Sequence, residues 1–365
     1  LIDVKVIRNF SISPKGEVGF TQIDRYSGGT INASGQIDPS GLIDRQEIKT
    51  TSFDKFGNSL TQEIVRSYVD DQGTLLFSEA QKISNLKEDG TSSLDDYGRA
   101  RRTTIDTYNS VVRSAGDPQV WTFSGRLERQ VINIAQDGYD KFGNVLSQKI
   151  DTYAATDIAI EGLIDHKVIQ NTFFDLKDNT YNEKAARRGQ AVTTTVIRYL
   201  DTTEDASSRI DKTYTVTTEY DARGFAVSQV SHSFIFKEGV KDAVETGYRE
   251  ILNKEINNRG DASSQEITSY RLENGVETTL SYQKIYNRHF DPSSRQADSQ
   301  LILTYDEKGG LLLDAQEVRS QNFTSGGVAK LQTIATYDKI LASGDKVDES
   351  SRIDVKAIRD FSISP

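Results

Sequence analysis

The side chains best suited to proton transfer or metal binding are three histidines, His166, His232 and His289. They stand far apart in the chain, and no second histidine lies at a ligand spacing such as His-x-x-x-His. They read as ordinary surface or cross-strand residues. The acidic pairs Asp70-Asp71 and Asp95-Asp96 could offer oxygens to Ca²⁺, but no EF-hand or nonapeptide spacing surrounds them, so they read as turn formers. No Gly-x-Ser-x-Gly elbow, Walker loop or dinucleotide fingerprint occurs. Cysteine is absent, which removes thiol nucleophiles, thiolate metal sites and disulfides. An acidic chain offers many carboxylate pairs for glycoside hydrolysis, and none is singled out here. Trp121, the one tryptophan, is expected to pack in a sheet face, and the tyrosines at turn ends to cover turns rather than stack on sugars. The expectation is therefore no catalytic centre, no cofactor and no metal.

What recurs along the chain is a turn. An apolar or aromatic residue, a polar residue, two variable residues and Gly recur as Phe53-Asp54-Lys55-Phe56-Gly57 and Tyr139-Asp140-Lys141-Phe142-Gly143. The same signature covers Leu94-Asp95 to Gly98, Tyr220-Asp221 to Gly224 and Tyr305-Asp306 to Gly309, with looser copies ending at Gly16 and Gly260. In a variant at Phe174 to Asn179 the Gly is replaced. Asp starts such a turn by accepting from backbone N–H groups ahead of it, and Gly or Asn supplies the positive φ that ends it. Ile stands seven and Tyr ten residues after Gly16, Gly98, Gly143 and Gly260; after Gly57 the Tyr, Tyr68, comes one residue late, as a β-bulge would allow. Between turns the pattern has period two: Leu60, Gln62 and Ile64 share one face, as do Leu146, Gln148 and Ile150. Gln recurs five residues after the Gly as Gln62, Gln148, Gln229 and Gln265, where side chains can bond to one another between apolar neighbours or form a solvated polar stripe. Helical periodicity is nearly absent; Leu75 to Ser84 reads as a returning strand.

Residues 2–14 recur at 353–365 with eleven of thirteen positions identical, an offset of 351 residues. This predicts one period of a tandem array, about residues 2–352, plus the start of the next. Eight marker turns per period predict about eight long antiparallel hairpins in a single continuous repeat region, residues 1–365, with loops at Tyr26 to Gly35 and Asn85 to Ser93. The fold class is all-β. The 44 Lys and Arg against 54 Asp and Glu give a charge of −10, which opposes capture of nucleic acid. No apolar run approaches the ~18 residues of a membrane span.

The Tyr-Asp-x-x-Gly element followed by an alternating strand, best seen at Tyr139 to Gly143, Tyr220 to Gly224 and Tyr305 to Gly309, resembles the YD repeat of Rhs and related proteins. The resemblance implies a long antiparallel sheet spiralling into a hollow shell, although the spacing here is nearer double the family's. Asp38-Pro39-Ser40-Gly41-Leu42 resembles the self-cleavage motif that ends the Rhs core, but more repeats follow it and the surrounding core motif is missing, so it reads as an Asp-Pro turn. If one period made one turn of a wound ribbon, a tube would result with its strand edges buried. The leading expectation is a structural segment of a giant extracellular or cell-surface protein, with successive repeats as its own partners. An Rhs-like shell or adhesin stalk is the alternative, and a polysaccharide-acting β enzyme is less favoured.

Overall fold

The computed structural model describes residues 4–31, 37–70, 72–117, 119–237, 242–291, 296–323 and 329–359. Nineteen strands lie in one antiparallel sheet that does not close into a barrel. In chain order they are β1 (Val4–Ile12), β2 (Val18–Ile31), β3 (Ile37–Phe53), β4 (Ser59–Val69), β5 (Leu75–Ser84), β6 (Arg102–Arg113), β7 (Trp121–Ile134), β8 (Ser147–Ala155), β9 (Ile160–Thr172) and β10 (Thr193–Tyr199). They continue as β11 (Arg209–Tyr220), β12 (Ala226–Ile235), β13 (Val244–Ile256), β14 (Ala262–Glu273), β15 (Val276–Phe290), β16 (Ala297–Tyr305), β17 (Leu312–Phe323), β18 (Ala329–Tyr337) and β19 (Arg352–Arg359). One five-residue helix, α1 (Glu183–Arg187), stands between β9 and β10.

Because β19 repeats β1, the described residues hold eighteen strands, or nine hairpins, per period rather than eight. The marker Gly count differs because alternation of strand direction sends Gly309, between β16 and β17, to the opposite sheet edge from Gly224 and Gly260. The β15–β16 and β17–β18 connections lie on the marker edge without the signature, and residues 292–295 and 324–328 within them are outside the described residues. Three further readings are corrected. Asp38 to Leu42 is not a turn: Asp38, Pro39, Ser40 and Leu42 pair with Thr30, Gly29, Gly28 and Tyr26 inside the β2–β3 hairpin. The Tyr26 loop is likewise strand as far as Ile31, and residues 32–36 are outside the described set. Between Ile64 and Tyr68 the register slip places the extra residue, Ser78, in β5 instead of β4.

The chain forms two compact units. Among the described residues, the first lies within 4–135 and 150–164. Its core is Phe20, Val65, Ala80, Tyr108 and Trp121. Trp121 meets the Phe20 ring edge-on at 5.9 Å, so the sheet curls until the start of β7 covers β2. Arg113 clasps Glu47, and Lys49 Nζ donates to the Gln119 carbonyl at 3.0 Å, holding that curl. On the same face Lys49, Glu63, Lys82, Asp106 and Arg129 are successive cross-strand partners, an alternating charge ladder over five strands. The second unit lies within residues 136–149 and 165–359. Its core is Leu301, Leu303, Ala315, Tyr337 and Val347, with the 338–351 segment folded back so that Arg288 donates to the Asp345 carbonyl at 2.8 Å.

Candidate functional site

The marker residues build a turn edge. In each of the turns at Asp54, Asp95, Asp140 and Asp221, Oδ1 accepts from the backbone N–H two and four residues ahead at 2.8 to 3.0 Å. Asn257 does the same before Gly260, and Ser13 Oγ before Gly16. Asp306 accepts from Glu307 and Leu311. Gly16, Gly57, Gly98, Gly143, Gly224, Gly260 and Gly309 all have positive φ, between 77° and 90°. Their N–H groups, Gly309 apart, close the turn onto the carbonyl of the marker residue, as at Gly57 to Asp54 (3.2 Å). The Asn58 amide and the backbone donors hold the Asp54 carboxyl below the ordinary range. At Asp221 burial pushes the other way, but the Phe225 N–H and Arg223 outweigh it and the pKa is again lowered. Asp70 makes a like turn with Gln72 and Thr74; Asp71 lies outside the described residues.

The turns touch one another within each unit. A methyl group on Gly98 would meet the Asn58 side chain at 3.0 Å, and one on Gly224 would meet the Lys184 carbonyl oxygen at 2.5 Å. Arg223 reaches to the next turn, donating to the Ile256 and Asn257 carbonyls at 2.8 and 3.2 Å. α1 occupies a turn position on this edge. Asn182 caps its first turn by accepting from Ala185 N–H, and Asn144 Nδ2 donates to its last carbonyls at Ala186 (2.7 Å). Tyr220 covers this region, its hydroxyl donating to the Ala191 carbonyl.

Next to the turns lies a polar and apolar grammar written across strands. One row of cross-strand partners is Thr50, Gln62, Ile83, Ile105 and Gln130. Another is Thr217, Gln229, Ile251, Ile267, Gln283 and Thr304. A third is Asn253, Gln265, Ile285, Ile302, Gln316 and Thr336. In each, the leading Gln donates to the polar residue twelve positions before it: Gln62 to Thr50 at 3.4 Å, Gln229 to Thr217 at 3.2 Å and Gln265 to Asn253 at 2.7 Å. Gln148 is half-buried in β8. The partners of these glutamines are thus Thr and Asn, with Ile pairs between rows of Gln.

A set of asparagines was missing from the sequence reading. Asn85, Asn171, Asn253 and Asn287 each donate Nδ2 to the carbonyl two residues past a marker Gly, at Ser59, Val145, Ala226 and Ala262 (2.9 to 3.2 Å). Each also accepts from the following strand, from Thr103, Thr194, Gln265 and Gln300 respectively. Their signal in the sequence is an Asn 27–29 residues beyond the marker Gly.

The structure does not bring the histidines together. His166 is buried in β9, 3.4 Å from Glu204. His232 stands in an aromatic ladder with Tyr214, Tyr248 and Tyr270 and bonds Glu245 at 2.6 Å. His289 lies in β15. Among the described residues no group of three or more His, Asp or Glu is placed to hold a metal ion. Among the described residues no helix is long and apolar enough to cross a membrane.

These features define an all-β hairpin-repeat sheet with a tied turn edge. No protein-family model matches the chain, and no curated protein matches it. Among solved structures, the Tc holotoxin pore of Photorhabdus luminescens aligns at 15% identity over 94% of this chain, with a TM-score of 0.16. The TcdB2–TccC3 complex and its assembly with Cdc42 each align at 13% identity over 90% of this chain, with TM-scores of 0.13 and 0.12. This chain covers 20% of each matched chain, and scores this low do not establish a shared fold.

Proposed function

We propose that this chain is a non-enzymatic structural segment of a tandemly repeated, extracellular or cell-surface protein whose sheet winds on from one period into the next. Register across the period boundary carries the reading. Ser320 pairs with Gln332, which donates to it at 3.2 Å, and Gln332 pairs with Ile358. Ile358 is the repeat of Ile7, and Ile7 pairs with Ile23, which pairs with Gln46. Overlaying β19 on β1 therefore yields Ser-Gln-Ile-Ile-Gln, the same grammar as the three internal rows. A terminal strand duplicated without continuation has no reason to complete such a row. The exposed Ile353, Val355 and Ile358 of β19 gain neighbours under this reading. The test is the mass of the native polypeptide on a denaturing large-pore gel. Many hundreds of kilodaltons supports covalent tandem repeats; a chain near 41 kDa removes them.

A further inference from the structure

The one α-helix among the described residues sits where the repeat departs from its own pattern, and it gathers cations in a chain of net charge −10. Lys184, Arg187, Arg188 and Arg223 line, with Phe142, an open pocket of about 460 Å³, within the size range of small-ligand sites. We propose that this pocket binds a tetrahedral oxyanion, a phosphate or sulfate group on a sugar-sized ligand.

The cations are unequally committed. Arg223 is spent on structure, its guanidinium shared between Asp221 and the carbonyls of Ile256 and Asn257. Lys141 pairs with Glu183. Arg188 uses Nε on the Arg223 carbonyl at 3.1 Å, and both its Nη groups remain available. Arg187 has a single loose ion pair, to Glu183 at 3.7 Å, and the Lys184 side chain makes no hydrogen bond or ion pair among the described residues. Counting Lys141 with the four lining cations against Glu183, Asp221 and Asp140 leaves an excess of two positive charges. Aromatic rings hold the guanidinium groups in place: Arg187 lies 4.8 Å over Phe142 and Arg188 4.9 Å over the buried Phe225. Two guanidinium groups and an ammonium with free donors match the oxygens of a phosphate or sulfate. A long polyanion such as nucleic acid would have to cross the acidic remainder of the chain.

Calorimetric titration of the full chain with inorganic phosphate and with sulfate, at constant ionic strength set with NaCl, tests the site. Saturable one-to-one binding is expected, weakened at least tenfold by Lys184→Gln and by Arg188→Gln. Arg188→Lys keeps the charge but loses the fork and should give an intermediate loss. Unchanged thermal midpoints will show that the variants fold. Phosphate should tighten as pH rises through its second ionisation, which adds a negative charge, while sulfate, already doubly charged, should not. Heats that fail to saturate, or binding indifferent to Lys184→Gln and Arg188→Gln, would overturn the proposal. Neither result bears on the mass of the native polypeptide, so this site and the tandem reading fail separately.

Discussion

Replacing Gly57 and Gly224 by alanine, one at a time, separates backbone strain from close packing on the turn edge. Both glycines have nearly the same φ, +86° and +89°, so both alanines carry the same left-handed penalty of about 1–2 kcal/mol. At Gly57 the new methyl group meets only the Glu17 side chain, Cγ at 3.6 Å and Oε1 at 3.8 Å, both ordinary contacts. At Gly224 it meets the Lys184 carbonyl oxygen at 2.5 Å and its carbon at 2.8 Å. That obstacle is backbone of α1, which cannot rotate aside, so the helix must shift. Overpacking of this kind adds about 1–3 kcal/mol. Gly57→Ala should therefore lower stability by about 1–2 kcal/mol, and Gly224→Ala by about 2–5 kcal/mol. Urea unfolding followed by far-ultraviolet circular dichroism reads both. Equal losses at the two sites would refute the claim that α1 is seated on the Gly224 turn. A larger loss at Gly57 would refute the reasoning about strain as well.

Four other outcomes follow from the geometry. With Val6→Pro and Ile7→Pro weakening β1, one of the two prolines must remove an N–H that bonds β2; Ile23→Cys with Ile358→Cys should then give disulfide-linked multimers on a non-reducing gel, and Gln22→Cys with Ile358→Cys should not. Asn287→Ala removes the donor to the Ala262 carbonyl and the acceptor of Gln300, and should cost about 1–3 kcal/mol in urea unfolding, against nearly nothing for the exposed Lys15→Ala. Burial alone would raise the Asp24 carboxyl, but Arg45, Gln22 and Arg8 outweigh it and hold it below the ordinary range. Its contribution is therefore complete above the unfolded value of ~3.9 and lost as pH falls through the folded one, and Asp24→Asn should flatten the acid limb of a stability–pH curve. Glu128 has the opposite sign: burial raises it, opposed by Thr107 and reinforced by Glu79, so the fold disfavours its ionised form and stability falls as pH rises through the folded value. Glu128→Gln should raise the urea midpoint at pH 7 and leave it unchanged at pH 4.

The turns were legible because their physics is local: Asp54 finds the Phe56 and Asn58 N–H groups within four residues, and Gly57 supplies the φ that the next bond needs. Strand alternation was legible for the same reason. The rows were not, because Gln62 meets Ile83 and then Ile105 only after two connections of different length, so no fixed spacing marks Gln-Ile-Ile-Gln in the chain. The hairpin count erred where Gly309 used marker-edge chemistry on the other edge, a distinction that needs every strand before it. Asp38-Pro39 read as a turn from its residue types, but the β2–β3 pairing absorbs it into strand, with Pro39 opposite Gly29. α1 escaped notice because five residues carry too little periodicity; only Asn182 followed by Glu183 hinted at a cap. The two illegible features have opposite relations to the repeat. Under the tandem reading proposed above, the rows are what one period keeps for the next to pair in register, so a substitution at Gln332 or Ile23 should be felt at that junction. α1 answers to no such demand: the β9–β10 pairing from Thr172 and Thr193 onward continues past it intact. A repeat sheet can therefore carry a helix and its cations at the turn edge without disturbing register, and that edge is where the proposed anion pocket lies.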